Sequence, residues 1–447
     1  MKQKIIIYLC GLIIVSAQSF TANPKVYDII DDISADQLET YVTKLANFGT
    51  RHSLSDTVSN TRGIGAARRW IKKEFETISK DCGGCLAVEE QWSLAKGDPN
   101  TRIQKDTWIV NIYAVKRGTK YPNRYVIMSG DIDSRISDPL DGKGDSPGAN
   151  DNATGMAAAI ELARVLSKHD FPTSIILAGL SGEEQGLFGG RYFAEKAKKE
   201  GWEIVGILNN DMIGNIEGVD GVIDNRTFRI FSEPYSILET EKQLKQKRFY
   251  GGENDSESRQ LARHVFAATN TYLPAMNPML IYRLDRFGRG GHHRPFNEVG
   301  FPGVRIMEAH ENYNRQHQDI REENGIKYGD VIAGVNFDYC AKLTAVNAAA
   351  MVTLAMAPPK PKHVKIGGVV KPSTVLAWDK VDGAAGYKLY WRDTTAPTWQ
   401  NYKWVNGDVT NHTLEGIVID NYLFGVAAVG ENGHESMVAY PGGLIVR

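Results

Sequence analysis

With 447 residues the chain is too long for a single compact core, so one large domain and a smaller one are expected. Its 52 Lys and Arg balance 53 Asp and Glu for a formal net charge of -1, which argues against nucleic acid or an anionic membrane as partner. The composition, 42% hydrophobic and 23% charged, is that of an ordinary globular protein rather than a disordered one.

The first 22 residues differ from the rest. Lys2 and Lys4 precede a continuous apolar run from Ile5 to Ala17. A positive start, a short apolar segment and then small residues read as a signal peptide, cut after Ala17 or Ser19. The run is shorter than the ~20 residues of a spanning helix, so no membrane anchor is expected after cleavage, and the mature protein is expected to be secreted or periplasmic. In such an oxidising compartment Cys82-Gly83-Gly84-Cys85 reads as a local disulfide, while Cys340, in an apolar helical stretch, reads as a buried thiol.

Residues 23–357 form the large domain. Helices are expected over 35–48 and 63–79, where Ile64, Ala67, Trp70, Ile71 and Phe75 recur at helical spacing. Strand-like runs follow at 87–92 and 108–115. The pattern then alternates: strand 125–128, helix 153–167 capped by Asn152, strand 173–180, helix 187–199, strand 204–208. This βαβαβ rhythm predicts a mostly parallel mixed sheet flanked by helices, an α/β fold. Residues 215–259 read as an irregular insertion over the sheet edge, a place for substrate walls. A helix near 258–268, strands near Leu280 and Val304 and a long helix over 330–355 complete the domain.

Residues 358–363, rich in Pro and Lys, read as a stiff linker. Beyond them, 364–447 holds short β-like runs at 375–378, 387–391, 404–405, 412–414 and 424–429, which predicts a small all-β sandwich. Its strings LAWDKVDGAAGYKLYWR and DNYLFGVAAVGENGHES resemble a fibronectin type III domain, and it carries no chemical motif.

In open α/β sheets ligands bind at the carboxyl ends of the strands, and acidic residues gather there. Asp131 and Asp133 follow one strand in SGDIDS. Asp151 lies in PGANDNATG. Glu183 and Glu184 follow the next strand in SGEEQG. Asp211 ends the third in NNDMIG, and His292 and His293 lie in GGHHRPFNEVG. Each alone has an ordinary reading, as an N-cap, a helix-dipole partner or a solvated loop residue. Together they are converging carboxylates that repel unless a cation binds them, and carboxylate with imidazole suits zinc, with manganese or cobalt as alternatives.

At these motifs residues 125–310 resemble the secreted zinc aminopeptidases, whose relatives include glutamate carboxypeptidases and glutaminyl cyclases. The ordered set PGANDNATG, SGEEQG, NNDMIG and H-x-P-F-x-x-x-G-F-P carries the resemblance. It implies a bridging ligand at Asp151, one ion held with Glu184 and His293, another with Asp211, and Glu183 as general base. His292 stands where the family often has Asp. Where the family has His-x-Asp, this chain has Asp131-Ile132-Asp133. The second half-site would then be all carboxylate, Asp131, Asp151 and Asp211, and would hold a weaker zinc or another divalent ion, while Asp133 loses its usual His partner.

The resemblance implies metal-assisted peptide hydrolysis, with an aminopeptidase first. A carboxypeptidase, a glutaminyl cyclase or a metal-impaired binding protein are the alternatives, and oligomeric state stays open. The insertion after Asn215 and His310-Glu311-Asn312-Tyr313 are candidates for the terminus pocket. His317 and His52 are expected to be structural or to support the ligands from behind.

Overall fold

The computed structural model describes residues 20–445. The expected signal peptide lies almost wholly outside the described residues, as does Cys10. Phe20 is already tied down: its N–H donates to Thr271 Oγ1 at 2.7 Å and its ring lies 4.7 Å from that of His264. Cys82 and Cys85 are joined in a disulfide and Cys340 is buried and free, as the sequence predicts.

Eight strands form the main sheet: β1 (Leu86–Ala95), β2 (Thr107–Lys116), β3 (Tyr121–Asp131), β4 (Thr173–Leu180), β5 (Glu203–Asn210), β6 (Thr227–Ser232), β7 (Asn277–Ile281) and β8 (Gly303–Glu308). Their order is β1-β2-β4-β3-β5-β8-β6-β7. The middle four, β4-β3-β5-β8, run parallel; β1–β2, β2–β4 and β6–β8 pair antiparallel, and β7 runs parallel to β6. Successive side chains on β3 go to opposite faces, as strand geometry requires. Val126 and Met128 join the core under the helices Gly155–Leu166 and Phe337–Met356, while Tyr125 and Ile127 join the core under Phe188–Lys199.

Two expectations shift in this domain: the long helix expected over 330–355 begins only at Phe337, and the stretch read as irregular holds regular elements, among them the helix Glu241–Phe249. Within the stretch read as irregular, Thr227–Ser232 is β6, a strand between β8 and β7. Its six residues carry Arg229 on the partly exposed face, too short an alternation to stand out, and its partners β7 and β8 lie far along the chain.

The C-terminal region is built of two small sheets. One joins Lys365–Gly367, Thr374–Ala377, Asn411–Leu414 and Gly443–Leu444; the other joins Gly386–Asp393, Asn401–Asn406 and Tyr422–Val429. They enclose a core of Trp378, Tyr387, Leu389, Phe424 and Val426.

Residues 358–363 do not act as a free spacer. Ala357, Pro358 and Pro361 are buried, and Arg124 Nη1 donates to the Ala357 carbonyl at 3.2 Å. A buried ionic network joins the two regions. Asp255 Oδ1 accepts from Arg263 Nη1 at 2.8 Å and Gln260 Nε2 at 2.9 Å, and Asp255 Oδ2 accepts from Arg392 Nη2 at 2.8 Å. Arg263 Nε also donates to the Pro397 carbonyl at 2.7 Å, beside the buried Trp399. Removing Asp255 strands two buried guanidiniums, and breaking a buried pair costs about 3–5 kcal/mol. Asp255→Ala is therefore expected to lose stability of that order in urea unfolding, and a loss under about 1 kcal/mol would show that the network does not hold the regions together.

Candidate active site

The three parallel strands β4, β3 and β5 are adjacent, and Asp131 is in register with Leu180, so their carboxyl ends reach one edge of the sheet together. Asp131 closes β3, Glu183 and Glu184 follow β4, and Asp211 follows β5. Asp151 sits in the irregular turn Ala149–Thr154 ahead of the helix Gly155–Leu166, where its peptide bond to Asn152 is cis. The helix's N-cap is Thr154 rather than the expected Asn152, but Asn152 Oδ1 still accepts the Gly155 N–H at 3.1 Å. Asp330 anchors the turn from the far side: its two carboxylate oxygens accept the N–H groups of Asn150 at 2.8 Å and Asp151 at 2.7 Å.

Asp133 is buried and accepts the backbone N–H groups of Glu183 at 3.2 Å and Glu184 at 3.1 Å, so it clamps the turn that carries both glutamates. Glu184 is held on three sides. Its Oε2 takes Arg135 Nε at 2.7 Å, its Oε1 lies 2.9 Å from His317 Nε2, and its carbonyl accepts from Arg102 Nη1 at 2.6 Å. His317 Nε2 is also 3.0 Å from Asp151 Oδ2, whose other contact is Gln316 Nε2 at 3.3 Å. Burial alone would lower the His317 pKa, but Glu184 and Asp151 outweigh it and raise it to about 9. The two carboxylates thus favour a proton on His317 Nε2.

Among the described residues, Asp151, Glu184 and His317 are the group of such side chains whose ligand atoms all lie within 4.8 Å of one another. Two carboxylate oxygens and one imidazole nitrogen fit zinc. In the arrangement described, Arg135 Nη2 is 2.6 Å from His317 Nδ1, so Nδ1 accepts and Nε2 carries the proton. An ion at Nε2 would need the proton on Nδ1 and Arg135 drawn back.

His293 is not in this group. It is buried behind the site, its Nε2 donating to the Leu284 carbonyl at 2.8 Å with Asp285 Oδ2 at 3.7 Å, and burial pushes it down to about 4, the neutral form. In this structure it is His317, expected to be structural or to support the ligands from behind, that lies beside Asp151 and Glu184 where His293 was expected. His317 lies in a polar loop after β8 with no periodicity around it, so only the folded chain brings it to Asp151. His52, of which the same was expected, is buried between the Pro139 carbonyl and Gln185.

The all-carboxylate half-site is not assembled either. Asp131 Oδ2 accepts from Asn152 Nδ2 at 2.7 Å and its Oδ1 lies 2.6 Å from His292 Nδ1. The two positions that depart from the family pattern, Asp131 and His292, are thus in contact with each other. Asp211 Oδ2 lies 2.7 Å from Arg305 Nη2.

Glu183 faces a cavity of about 410 Å³ together with Asp151, Glu184, Asp211 and His317. Burial, with Glu184 and Asp211 nearby, pushes its carboxyl well above the usual range. Six arginines, Arg102, Arg135, Arg191, Arg286, Arg289 and Arg294, line the same cavity. The insertion after Asn215 does not line it. Glu311, proposed for the terminus pocket, is buried in ion pairs with Arg229 at 2.8 Å and Arg286 at 2.5 Å.

Residues 111–331 match the model of Peptidase family M28. A probable zinc metalloprotease of Pyrenophora teres f. teres is 41% identical over 92% of this chain and 86% of its own length. One from Leptosphaeria maculans is 41% identical over 93% of this chain and 96% of its own. The crystal structure of the Legionella pneumophila LapA aminopeptidase covers 76% of this chain and 77% of that one, with a TM-score of 0.53 at 17% identity. On the strength of its full-length relatives, this chain belongs to peptidase family M28.

Proposed function

We propose that the chain is a zinc-dependent exopeptidase in which Asp151, Glu184 and His317 hold the ion and Glu183 is the general base. The observation that carries the reading is the convergence of Asp151 Oδ2 and Glu184 Oε1 on one His317 nitrogen, beside a Glu183 carboxyl that faces the cavity. A zinc ion bound there would polarise the scissile carbonyl and acidify a water. Glu183 takes the proton from the attacking water and delivers it to the leaving amine. Asp133 keeps Glu183 aimed by holding its backbone N–H, and Arg135 and Arg102 hold Glu184.

The charge of the cavity favours one end of a peptide. Asp151, Glu184 and Asp211 are already engaged by cationic side chains, whereas Arg289, which lines the same cavity, is exposed and makes no ion pair among the described residues. An α-amino group would need a spare anion, and a carboxylate needs what the mouth offers, guanidinium forks. The carboxypeptidase reading is therefore favoured over the aminopeptidase that the sequence motifs put first.

Glu183→Gln is expected to keep its zinc and its fold and to lose turnover by about 10²–10⁴-fold; near-normal kcat would remove Glu183 as the base. His317→Ala is expected to abolish zinc retention through dialysis while His293→Ala retains it, read by elemental analysis of the purified proteins. The opposite outcome would return the ligand role to His293. On a peptide panel, N-blocked substrates with a free C-terminus should be cleaved at least about tenfold better than C-amidated ones, with KM raised in Arg289→Ala, since a lost ionic contact of ~1.4 kcal/mol is tenfold. Preference for free N-termini with amidated C-termini would restore the aminopeptidase reading.

A further inference from the structure

The family pattern pairs two ions across a bridging Asp, and the second would draw on Asp131, Asp151 and Asp211. In this chain both outer carboxylates already face groups of the protein, although Asp211 Oδ1 itself has no hydrogen-bond partner among the described residues. Asp131 has Asn152 Nδ2 at 2.7 Å on one oxygen and His292 Nδ1 at 2.6 Å on the other. Asp211 has the Arg305 guanidinium at 2.7 Å.

Arg305 cannot swing aside to admit an ion. It lies in the middle of β8 with no solvent exposure, and its Nη1 is fixed by both oxygens of Asp285, at 3.0 and 3.1 Å, and by the Gly290 carbonyl at 2.8 Å. A divalent ion on Asp211 Oδ2 would meet a permanent guanidinium charge at contact distance, in a buried setting where repulsion is strong. The work of the second ion, neutralising the carboxylates at the ends of β3 and β5, is done by groups that belong to the chain.

We propose that Arg305 stands in for the second metal ion, so that this enzyme carries a single exchangeable ion beside a built-in cation. This rests on the reading that Asp151, Glu184 and His317 hold the first ion. Arg305 acts as a positioning residue: it keeps Asp211 in place and charge-balanced, and Asp285, which also borders His293, orients it in turn. The exchange of Asp and His between positions 131 and 292 belongs to the same arrangement, since an Asp131 without an ion needs the N–H donor that His292 brings.

The test is ion stoichiometry, not activity. Apo protein titrated with zinc by calorimetry, with elemental analysis after dialysis, should bind one equivalent in the full-length wild type. Asp211→Asn should still bind one, with Kd changed by less than about threefold. Arg305→Met should gain a second, weaker equivalent; if that variant does not fold, the wild type and Asp211→Asn decide. Two equivalents in the wild type, falling to one in Asp211→Asn, would overturn the proposal. The underlying reading fails separately: a wild type that binds no zinc, or a His317→Ala variant that keeps its full complement, would remove the first ion whatever Arg305 does.

Discussion

Six carboxylates, Asp131, Asp133, Asp151, Glu183, Glu184 and Asp211, are brought to one edge of a parallel sheet, and their mutual repulsion is the constraint around which the rest of the site is arranged. Each finds a different relief. Asp133 uses two backbone N–H groups, Asp131 an amide and an imidazole, Asp211 the guanidinium of Arg305, and Glu184 and Asp151 share His317. Glu183 alone is left without a fixed partner, facing the cavity, which suits the general-base role proposed for it.

The same principle governs the junction between the two regions. Asp255 is buried with Arg263 and Arg392, one guanidinium from each side, so the C-terminal sheets are attached through a shared buried charge rather than tethered by a flexible strand. The helix Glu257–Tyr272 that carries Arg263 also packs under β6, β7 and β8. A disturbance at the junction therefore reaches the strand that holds Arg305.

Much of this was legible in the chain. Alternating strand and helix periods predicted the central parallel strands, and the acidic strings after them marked the edge that carries the candidate site, because the side-chain period and the turn at a strand end are local properties. The disulfide between Cys82 and Cys85 was legible for the same reason, being only three residues apart. β6 was not, because six residues with a charge among them make a strand only when β8 is there to pair with.

The ligand geometry lies at the other extreme. Sequence determined which chemistry the site could host, since carboxylates at successive strand ends admit few other uses. It could not decide whether His293 or His317 joins them: both follow the carboxylates in loops, and the contact between Glu184 and His317 spans 133 residues. Nor could it show that Asp131 meets His292 across 161 residues, or that the lone Arg in GVRIME is aimed at Asp211. Those contacts depend on how loops return over the sheet and on which buried charges end up adjacent, and only the packed tertiary structure settles that.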